Sequence, residues 1–350
     1  MEERIITFAQ AVNEALEQSM AADDSVILLG EGVPDPKGIF GTTLNLQQKF
    51  GKDRVIDMPL SENAMTGAGV GAAITGLRPV LVHQRVDFSL LSFDQIVNNA
   101  AKWFYMFGGQ KSVPLVIRMI IGQGWGQGAQ HSQNLHALFA HIPGLKVVMP
   151  TTAYDAKGLL ISSIRDNNPV IFLEHRWLHH TSSNVPKEAY EIPLGKAKIV
   201  LEGKDITIIS NSYMTLEALR AADFLQQHGI SAEIIDLRTI KPLDEQAILN
   251  SVSKTGKLIV LDSGHYSGGI AGEIISRVSE KSFSSLKTAP VRITLPDFPV
   301  PTSHGLSKYY YPRYQDILKE VFKMLGKEEP ILPEPSGLLD VPDSSFKGPF

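Results

Sequence analysis

A single carboxylate, Glu62, stands in the sequence where a buried strand gives way to a helix. Val55 and Ile56 are typical of a strand end, and Ser61 is a suitable N-cap. A helix is therefore predicted to begin at Glu62, where a carboxyl group can exchange a proton with a bound molecule. The less specific interpretation is that Glu62 only meets the positive end of the helix dipole, as acidic residues in a first turn often do.

Histidines supply the next candidates for chemistry. His131 follows the glycine-rich loop GQGWGQGAQ, and a histidine that titrates near neutral pH can position a substrate carboxylate or shuttle a proton. The segment EHRWLHH places His175 and His179 four residues apart, a spacing at which two imidazoles on one helix face can bind a metal. That segment follows a strand and lacks the HExxH spacing, so a role in shaping substrate entry is the alternative. We interpret His136 and His141 as structural.

Two further motifs leave their roles open. Arg85, in the run HQRVDF, can act as a charged clamp for an anionic substrate, or can pair with Asp87 or with a partner chain. The run GHYSGG at residues 264–269 follows a strand and opens a helix, so it can cradle a phosphate. It lacks the full dinucleotide fingerprint.

The elements that must position these residues alternate between apolar strands and helical patterns, which predicts α/β architecture with mostly parallel sheets covered on both faces. Strands are predicted at residues 25–29, 55–57, 80–83, 114–118, 146–149 and 170–174, then at 206–210, 232–236, 258–262 and 291–295. Helices are predicted at 8–21, 62–75, 93–104, 153–165, 215–228, 244–254 and 269–278. We expect a first domain at 1–185, a linker at 186–200, a second domain at 201–326 and an extended tail at 327–350.

Composition narrows the functional class. The 350 residues carry 33 Lys and Arg against 37 Asp and Glu, a net charge of −4, so no basic surface for nucleic acid is expected. The absence of cysteine excludes disulfides, thiolate catalysis and cysteine-bound metals. No run approaches the ~18 apolar residues of a membrane span, and the first residues do not read as a secretion signal. We therefore expect a cytoplasmic protein whose partners are small molecules and other proteins.

The segment 54–83 resembles the cofactor-binding unit of the beta subunits of thiamine-diphosphate-dependent 2-oxo acid dehydrogenase E1 components, of the pyruvate and branched-chain type. The resemblance runs from about residue 6 to about residue 312, and includes AQHSQ at 129–133, PGLKVVMP at 143–150 and IRDNNPV at 164–170. It implies two three-layer domains, a transketolase-type pyrimidine-binding domain and a transketolase C-terminal-like domain.

The resemblance also implies roles for individual residues. Glu62 stands where the family glutamate hydrogen-bonds the pyrimidine ring, next to Leu60, and Phe88 stands where an aromatic side chain packs on that ring. His131 matches a histidine of the active-site channel and is the predicted second catalytic residue. A potassium ion is implied at positions that in relatives bind mostly through backbone carbonyls. In this sequence they are Leu115, Ser163, Ile164, Asp166 and Asn168.

The sequence lacks the Gly-Asp-Gly with a downstream Asn that holds magnesium and the diphosphate in this superfamily. The resemblance therefore implies that an alpha-type E1 subunit carries that half of the site, in an alpha2-beta2 heterotetramer. The glycine-rich helix after Glu62 is a candidate for close contact at such an interface.

These features predict a beta subunit that takes part in decarboxylation of a 2-oxo acid and transfer of the acyl group to a lipoyl group on an acyltransferase, or to another acceptor. One alternative is a transketolase-like or acyloin-forming enzyme that passes the unit to an aldehyde. The unusual Arg85 and EHRWLHH, which depart from the family pattern, keep this alternative open. Another alternative is a non-catalytic regulatory subunit that has kept the fold.

Overall fold

The computed structural model describes residues 4–35, 37–124 and 127–333. The strands of this part are β1 (Ile5–Thr7), β2 (Val26–Gly30), β3 (Val55–Asp57), β4 (Arg78–His83), β5 (Val116–Ile121), β6 (Lys146–Val148), β7 (Val170–His175), β8 (Ser182–Asn184), β9 (Lys198–Leu201), β10 (Ile206–Ser210), β11 (Ala232–Asp236), β12 (Thr239–Lys241), β13 (Leu258–His265) and β14 (Val291–Leu295). The α-helices are α1 (Phe8–Ala22), α2 (Gly38–Gly41), α3 (Leu46–Phe50), α4 (Glu62–Ile74), α5 (Ala101–Met106), α6 (His136–His141), α7 (Ala153–Arg165), α8 (Tyr213–Gln227), α9 (Glu245–Thr255), α10 (Ile270–Ser282), α11 (His304–Ser307) and α12 (Tyr314–Leu325).

The first sheet joins seven strands of the described chain in the order β12-β6-β7-β5-β4-β2-β3. All neighbours are parallel except β12 and β6. Successive side chains of β4 enter opposite cores, since Val80 packs with α1 and α7 whereas Leu81 packs with residues of α4. Such a strand is buried on both faces, which is why its sequence is an unbroken apolar run.

The second sheet has the described order β14-β13-β10-β11-β9, with parallel neighbours except at the β9 edge. Helices α8 and α12 cover one face. On the other face Ile209, Ile235 and Val260 belong to the same apolar cluster as Leu81 of the first sheet. The two domains therefore share a core and pack as one body.

Polar contacts reinforce this packing at the carboxyl ends of the second-sheet strands. After β10, the Ser212 carbonyl accepts a hydrogen bond from Thr151 Oγ1 at 3.1 Å. After β11, Arg238 forms an ion pair with Asp155 of α7, and both side chains are largely buried. The carboxyl ends of β10 and β11 thus face the first domain.

The predicted α/β fold class is confirmed, and every predicted strand has a counterpart within a few residues. The predicted helix at 93–104 is instead a π-helix, Gln95–Ala100, that continues into α5. Four short strands, β1, β8, β9 and β12, were not predicted, and β9 begins inside the predicted linker 186–200. The predicted domain limits stay a prediction, and most of the predicted tail, residues 334–350, lies outside the described residues. No helix of the described part is both long and apolar enough to span a membrane.

Candidate active site

Glu62 opens α4 directly after the turn that follows β3, at the carboxyl edge of the first sheet. Its side chain is buried, with 8% of the residue exposed. Ser61 occupies the N-cap position, as predicted, but its side chain makes no capping hydrogen bond, and only its carbonyl accepts from Met65 N at 3.0 Å. Leu60, by contrast, is 74% exposed. The turn therefore holds a buried acid beside an accessible apolar side chain.

Phe88 and His131 meet edge to face. Their ring centroids are 5.3 Å apart at an interplanar angle of 85°. Phe88 begins a 3-10 helix, Phe88–Ser92, that packs against α4. The fold thus brings together two predicted site residues that are 43 positions apart and sets Phe88 beside the helix that Glu62 opens. Phe88 is half-buried and His131 is exposed, so both rings can contact a ligand.

The end of β4 fixes the loop that leads to His131. Arg85 Nη1 donates to the Gly122 carbonyl at 2.9 Å, and Arg85 Nη2 donates to Gln127 Oε1. Asp87 Oδ1 accepts from Gln133 Nε2 at 2.9 Å and from the Gln133 backbone N–H at 3.3 Å. Arg85 is 5% exposed, and burial lowers its pKa to about 10. Its guanidinium is engaged with the loop.

His83 lies two residues before Arg85 and faces α4. Its Nε2 is 3.2 Å from Thr66 Oγ1, one helical turn beyond Glu62. Burial lowers the pKa of His83 to about 4, so the imidazole is neutral near pH 7. This contact ties β4, the strand that Arg85 follows, to the helix that Glu62 opens.

The EHRWLHH segment forms two buried clusters. The Glu174 carboxylate accepts two hydrogen bonds, one from Arg118 Nε at 2.7 Å and one from His179 Nε2 at 3.2 Å. Burial alone would raise the pKa of Glu174, but Arg118 and His179 hold it at about 2. His175 stacks on Tyr213, and burial lowers its pKa to about 3. Across residues 4–35, 37–124 and 127–333, no three His, Cys, Asp or Glu side chains gather in a metal-binding arrangement.

His175 also limits the start of the glycine-rich loop. A Cβ atom on Gly122 would lie 2.6 Å from His175 Nε2, and the φ angle of Gly122 is +79°. Glycine is therefore required there both by conformation and by space. Trp125 and Gly126 of the same loop lie outside the described residues.

Several carbonyls at the predicted potassium site have protein donors. Arg78 Nη1 donates to the Ile164 and Asp166 carbonyls at 3.1 Å each, and Val170 N donates to the Leu115 carbonyl at 2.9 Å. The Asp166 carboxylate pairs with Lys146. The carbonyl oxygens of Leu115, Ile164 and Asp166 thus each accept a hydrogen bond from the protein, and the potassium site stays a prediction.

Sequence reasoning did not find two connections of the site. The bond from Gln133 to Asp87 and the buried pair of His136 with Asp262 both hold the His131 segment. Each joins residues far apart in the chain, and the type of side chain alone gave no signal for the pairing. His136, which we interpreted as structural, is buried against the second domain.

Comparison with known proteins agrees with this architecture. Residues 4–180 match the family described as transketolase, pyrimidine binding domain, and residues 195–317 match transketolase, C-terminal domain. A solved structure titled split gene transketolase, inactive beta4 tetramer, superposes with a TM-score of 0.73 over 92% of this chain and 98% of that chain. At 23% identity this likeness supports the fold alone.

Curated relatives are much more similar in sequence. The beta subunit of acetoin:2,6-dichlorophenolindophenol oxidoreductase from Cupriavidus necator is 47% identical, over 90% of this chain and 96% of the relative. The pyruvate dehydrogenase E1 component subunit beta of Acholeplasma laidlawii is 43% identical, over 93% of this chain and 99% of the relative. Together with the two family matches and the edge that carries Glu62, Phe88 and His131, these identities show that the chain belongs to the beta subunits of thiamine-diphosphate-dependent 2-oxo acid dehydrogenase E1 components.

Proposed function

We propose that this chain supplies the pyrimidine-binding half of a thiamine diphosphate site and takes part in decarboxylating a 2-oxo acid. The observation that carries the proposal is the buried carboxylate of Glu62, which opens the helix packed against the 3-10 helix of Phe88. When bound, thiamine diphosphate would supply a nucleophilic carbon and a cationic ring that stabilises the negative charge left by decarboxylation.

Each residue has a distinct task at the site. The Glu62 carboxyl group would share a proton with a ring nitrogen of the pyrimidine, which a buried acid at a fixed helix start can do with little reorganisation. Phe88 would pack on the ring, and the exposed Leu60 would flank it. His131, in edge-to-face contact with Phe88, is placed to move a proton at the substrate or to orient its carboxylate.

Arg85 remains a proposed substrate-side residue, and its contacts indicate how it acts there. Both terminal nitrogens of its guanidinium donate to the Gly122–Gln127 part of the loop, so its influence reaches the substrate through the position of that loop. These bonds use two of the five N–H donors of the guanidinium, so a direct clamp on an anion would have to use the remaining ones.

We further infer an alpha-type E1 subunit as the partner, in an alpha2-beta2 assembly, because the sequence lacks the magnesium and diphosphate motif. Magnesium and the diphosphate would lie on that partner. The acyl acceptor would be a lipoyl group on an acyltransferase, and we expect a cytoplasmic location.

A second candidate function is cleavage of acetoin. Two relatives, at 47% and 42% identity, are named acetoin:2,6-dichlorophenolindophenol oxidoreductase subunit beta. Acetoin carries no carboxylate, and the engagement of Arg85 with the loop suits an uncharged substrate. Acetoin cleavage breaks the carbon–carbon bond that an acyloin-forming enzyme makes. This candidate is therefore the reverse of the acyloin-forming reaction considered above.

The test is reconstitution. The chain is co-expressed with its alpha-type partner, and retained thiamine diphosphate is measured after gel filtration. Pyruvate, branched 2-oxo acids and acetoin are then compared by reduction of 2,6-dichlorophenolindophenol and of a lipoyl domain. We expect cofactor retention only in the assembled protein, and turnover of one substrate class. Failure of the assembled protein to retain the cofactor would instead support the regulatory alternative.

The potassium proposal has a separate test. The melting temperature of the assembled protein is compared in equal concentrations of KCl and NaCl. An ion held by the carbonyls of Leu115 and of the 163–168 segment would stabilise the folded state by mass action. A higher melting temperature in KCl is expected. Equal melting temperatures would contradict the site.

A further inference from the structure

The segment that carries His131 is held between the two domains. On the first-domain side, the Gln133 carbonyl accepts from Gly122 N at 3.3 Å, and Gln133 donates to Asp87. On the second-domain side, Asn134 Nδ2 donates to the Ser263 carbonyl at 2.8 Å. A Cβ atom on Gly128 would lie 2.2 Å from Thr302 Oγ1, so the backbone itself touches the second domain.

The strongest of these contacts is a buried charged hydrogen bond. His136 Nε2 lies 2.7 Å from Asp262 Oδ1, and both side chains are fully buried. Their positions in the sequence are 126 apart, with His136 at the start of α6 in the first domain and Asp262 on β13 in the second. A hydrogen bond to a carboxylate in a dry interior is short and strongly directional, so it fixes the imidazole closely.

Asp262 is a rigid anchor because its own domain already holds it. Its Oδ1 accepts from Gly264 N at 2.9 Å, and its Oδ2 accepts from Ala271 N, in the first turn of α10, at 3.2 Å. Burial would raise the pKa of Asp262, but His136 and these backbone donors lower it to about 2. The carboxylate is therefore ionised and immobile where His136 meets it.

Gly264 provides the space for this contact. A Cβ atom at position 264 would lie 3.0 Å from His136 Cε1 and 3.2 Å from its Nε2. Such distances are shorter than ordinary carbon contacts, so a methyl group there would push the imidazole by a few tenths of an ångström. Substitution at Gly264 can therefore move His136 without removing either partner of the bond.

We propose that His136 and Asp262 form a positioning pair that docks the segment 128–136 onto the second domain and so sets the place of His131. The proposal rests on the proposed function for the role of His131, whereas the docking itself does not. The second domain contributes to the site by orienting a residue of the first domain. Neither His136 nor Asp262 is required to touch a ligand.

The test uses four variants in the reconstituted assembly. His136→Leu removes the bond. His136→Gln places an amide nitrogen near the original Nε2 and keeps the hydrogen bond. Gly264→Ala displaces the ring. His141→Leu is the matched control, since His141 lies on the same helix α6 but is exposed. Hydrogen exchange of residues 128–136, cofactor affinity, kcat and KM are measured for each.

We expect faster exchange confined to this segment in His136→Leu, with kcat lowered about tenfold and KM changed less than about twofold, because a small displacement of a positioned group costs rate more than binding. His136→Gln should stay within about threefold of the unsubstituted protein, and Gly264→Ala should fall between the two. Exchange and kcat should be unchanged in His141→Leu.

Two results would overturn the proposal. One is unchanged exchange in both His136→Leu and Gly264→Ala. The other is a loss of kcat that His136→Gln fails to restore. If His136→Leu does not assemble, the hydrogen exchange and kcat of Gly264→Ala and His136→Gln test the proposal without it. If the assembly retains no cofactor, the proposed function fails, and the exchange measurement still reports whether the docking is real.

Discussion

The carboxyl edges of the two parallel sheets serve opposite purposes. At the first edge, Phe88 and His131 contact each other and are partly open to solvent, and the 3-10 helix of Phe88 packs against the helix that Glu62 opens. At the second edge, Ser212 after β10, Arg238 after β11 and Asp262 within β13 contact the first domain. Parallel sheets commonly bind ligands at this edge, but in the described part of this chain the ends of β10, β11 and β13 dock onto the first domain instead.

The difference explains why GHYSGG is not a phosphate cradle despite its position between a strand and a helix. The start of α10 is already occupied by an anion, since the Asp262 carboxylate accepts from Ala271 N. The space beside Gly264 is filled by His136. A strand-loop-helix unit binds a ligand only if the protein leaves its helix start unpaired, and motif spacing does not reveal that.

Glu62→Gln is the strongest test that the first edge, and not the second, carries the chemistry. We expect turnover of the reconstituted enzyme to fall about 10³-fold with little change in melting temperature, because the amide keeps the shape but loses proton transfer. Steady-state kinetics measures the loss. The matched control is Glu273→Gln, since Glu273 lies in the first turn of α10 after the second edge. Near-normal turnover in Glu62→Gln would defeat its assignment.

Arg238→Met tests the docking role of the second edge. Removing the guanidinium leaves buried Asp155 without its ion-pair partner, which we expect to lower the free energy of unfolding by about 3 kcal/mol. Turnover per folded molecule should change less than threefold. Urea denaturation and active-site titration check both statements. A loss of kcat without a loss of stability would place Arg238 at the active edge instead.

Asp236 gives the second edge a pH dependence. Burial and the neighbouring Asp155 raise its pKa to about 7, above the usual 3.8. Its contribution to stability is therefore fully present below about pH 4 and is lost as pH rises through 7. Asp236→Asn does not titrate, so its melting temperature minus that of the unsubstituted protein should increase from pH 5 to pH 8. A difference independent of pH would contradict the raised pKa.

Phe88→Leu is the mildest test of the first edge. It removes the edge-to-face contact with His131 and the proposed packing on the pyrimidine, which together should weaken thiamine diphosphate binding about fivefold. Calorimetric titration of the assembled protein measures this change. Phe283→Leu, at an exposed position of the second domain, should bind the cofactor normally. If Phe88→Leu binds thiamine diphosphate with unaltered affinity, Phe88 does not pack on the pyrimidine ring.

The sequence predicted the fold well where the signal was local. The long apolar strands were predicted from their apolar runs, and the helix that begins at Glu62 was predicted from Ser61 as its N-cap. The order of separated motifs identified Phe88 and His131, which the fold brings into contact. These features depend on residues close in the chain or on a pattern shared with a known family.

The features that the sequence did not predict depend on contacts between residues far apart in the chain. β12 is three residues long and forms only because Thr239 and Lys241 pair with β6, some ninety positions earlier. The contact of His136 with Asp262 likewise has no local signature. The engagement of Arg78 with the Ile164 carbonyl involves a backbone atom, and the side chain at position 164 does not reveal it.

The placement of β12 makes the two halves of the chain one unit of folding. This strand belongs to the second half but covers the outer side of β6 in the first sheet. A fragment that stops before it would leave the β6 backbone groups unpaired, and an open strand of that kind invites self-association. A protein in which the chain is split near residue 195, or in which the C-terminal part is replaced by another domain, therefore needs a different strand to pair with β6.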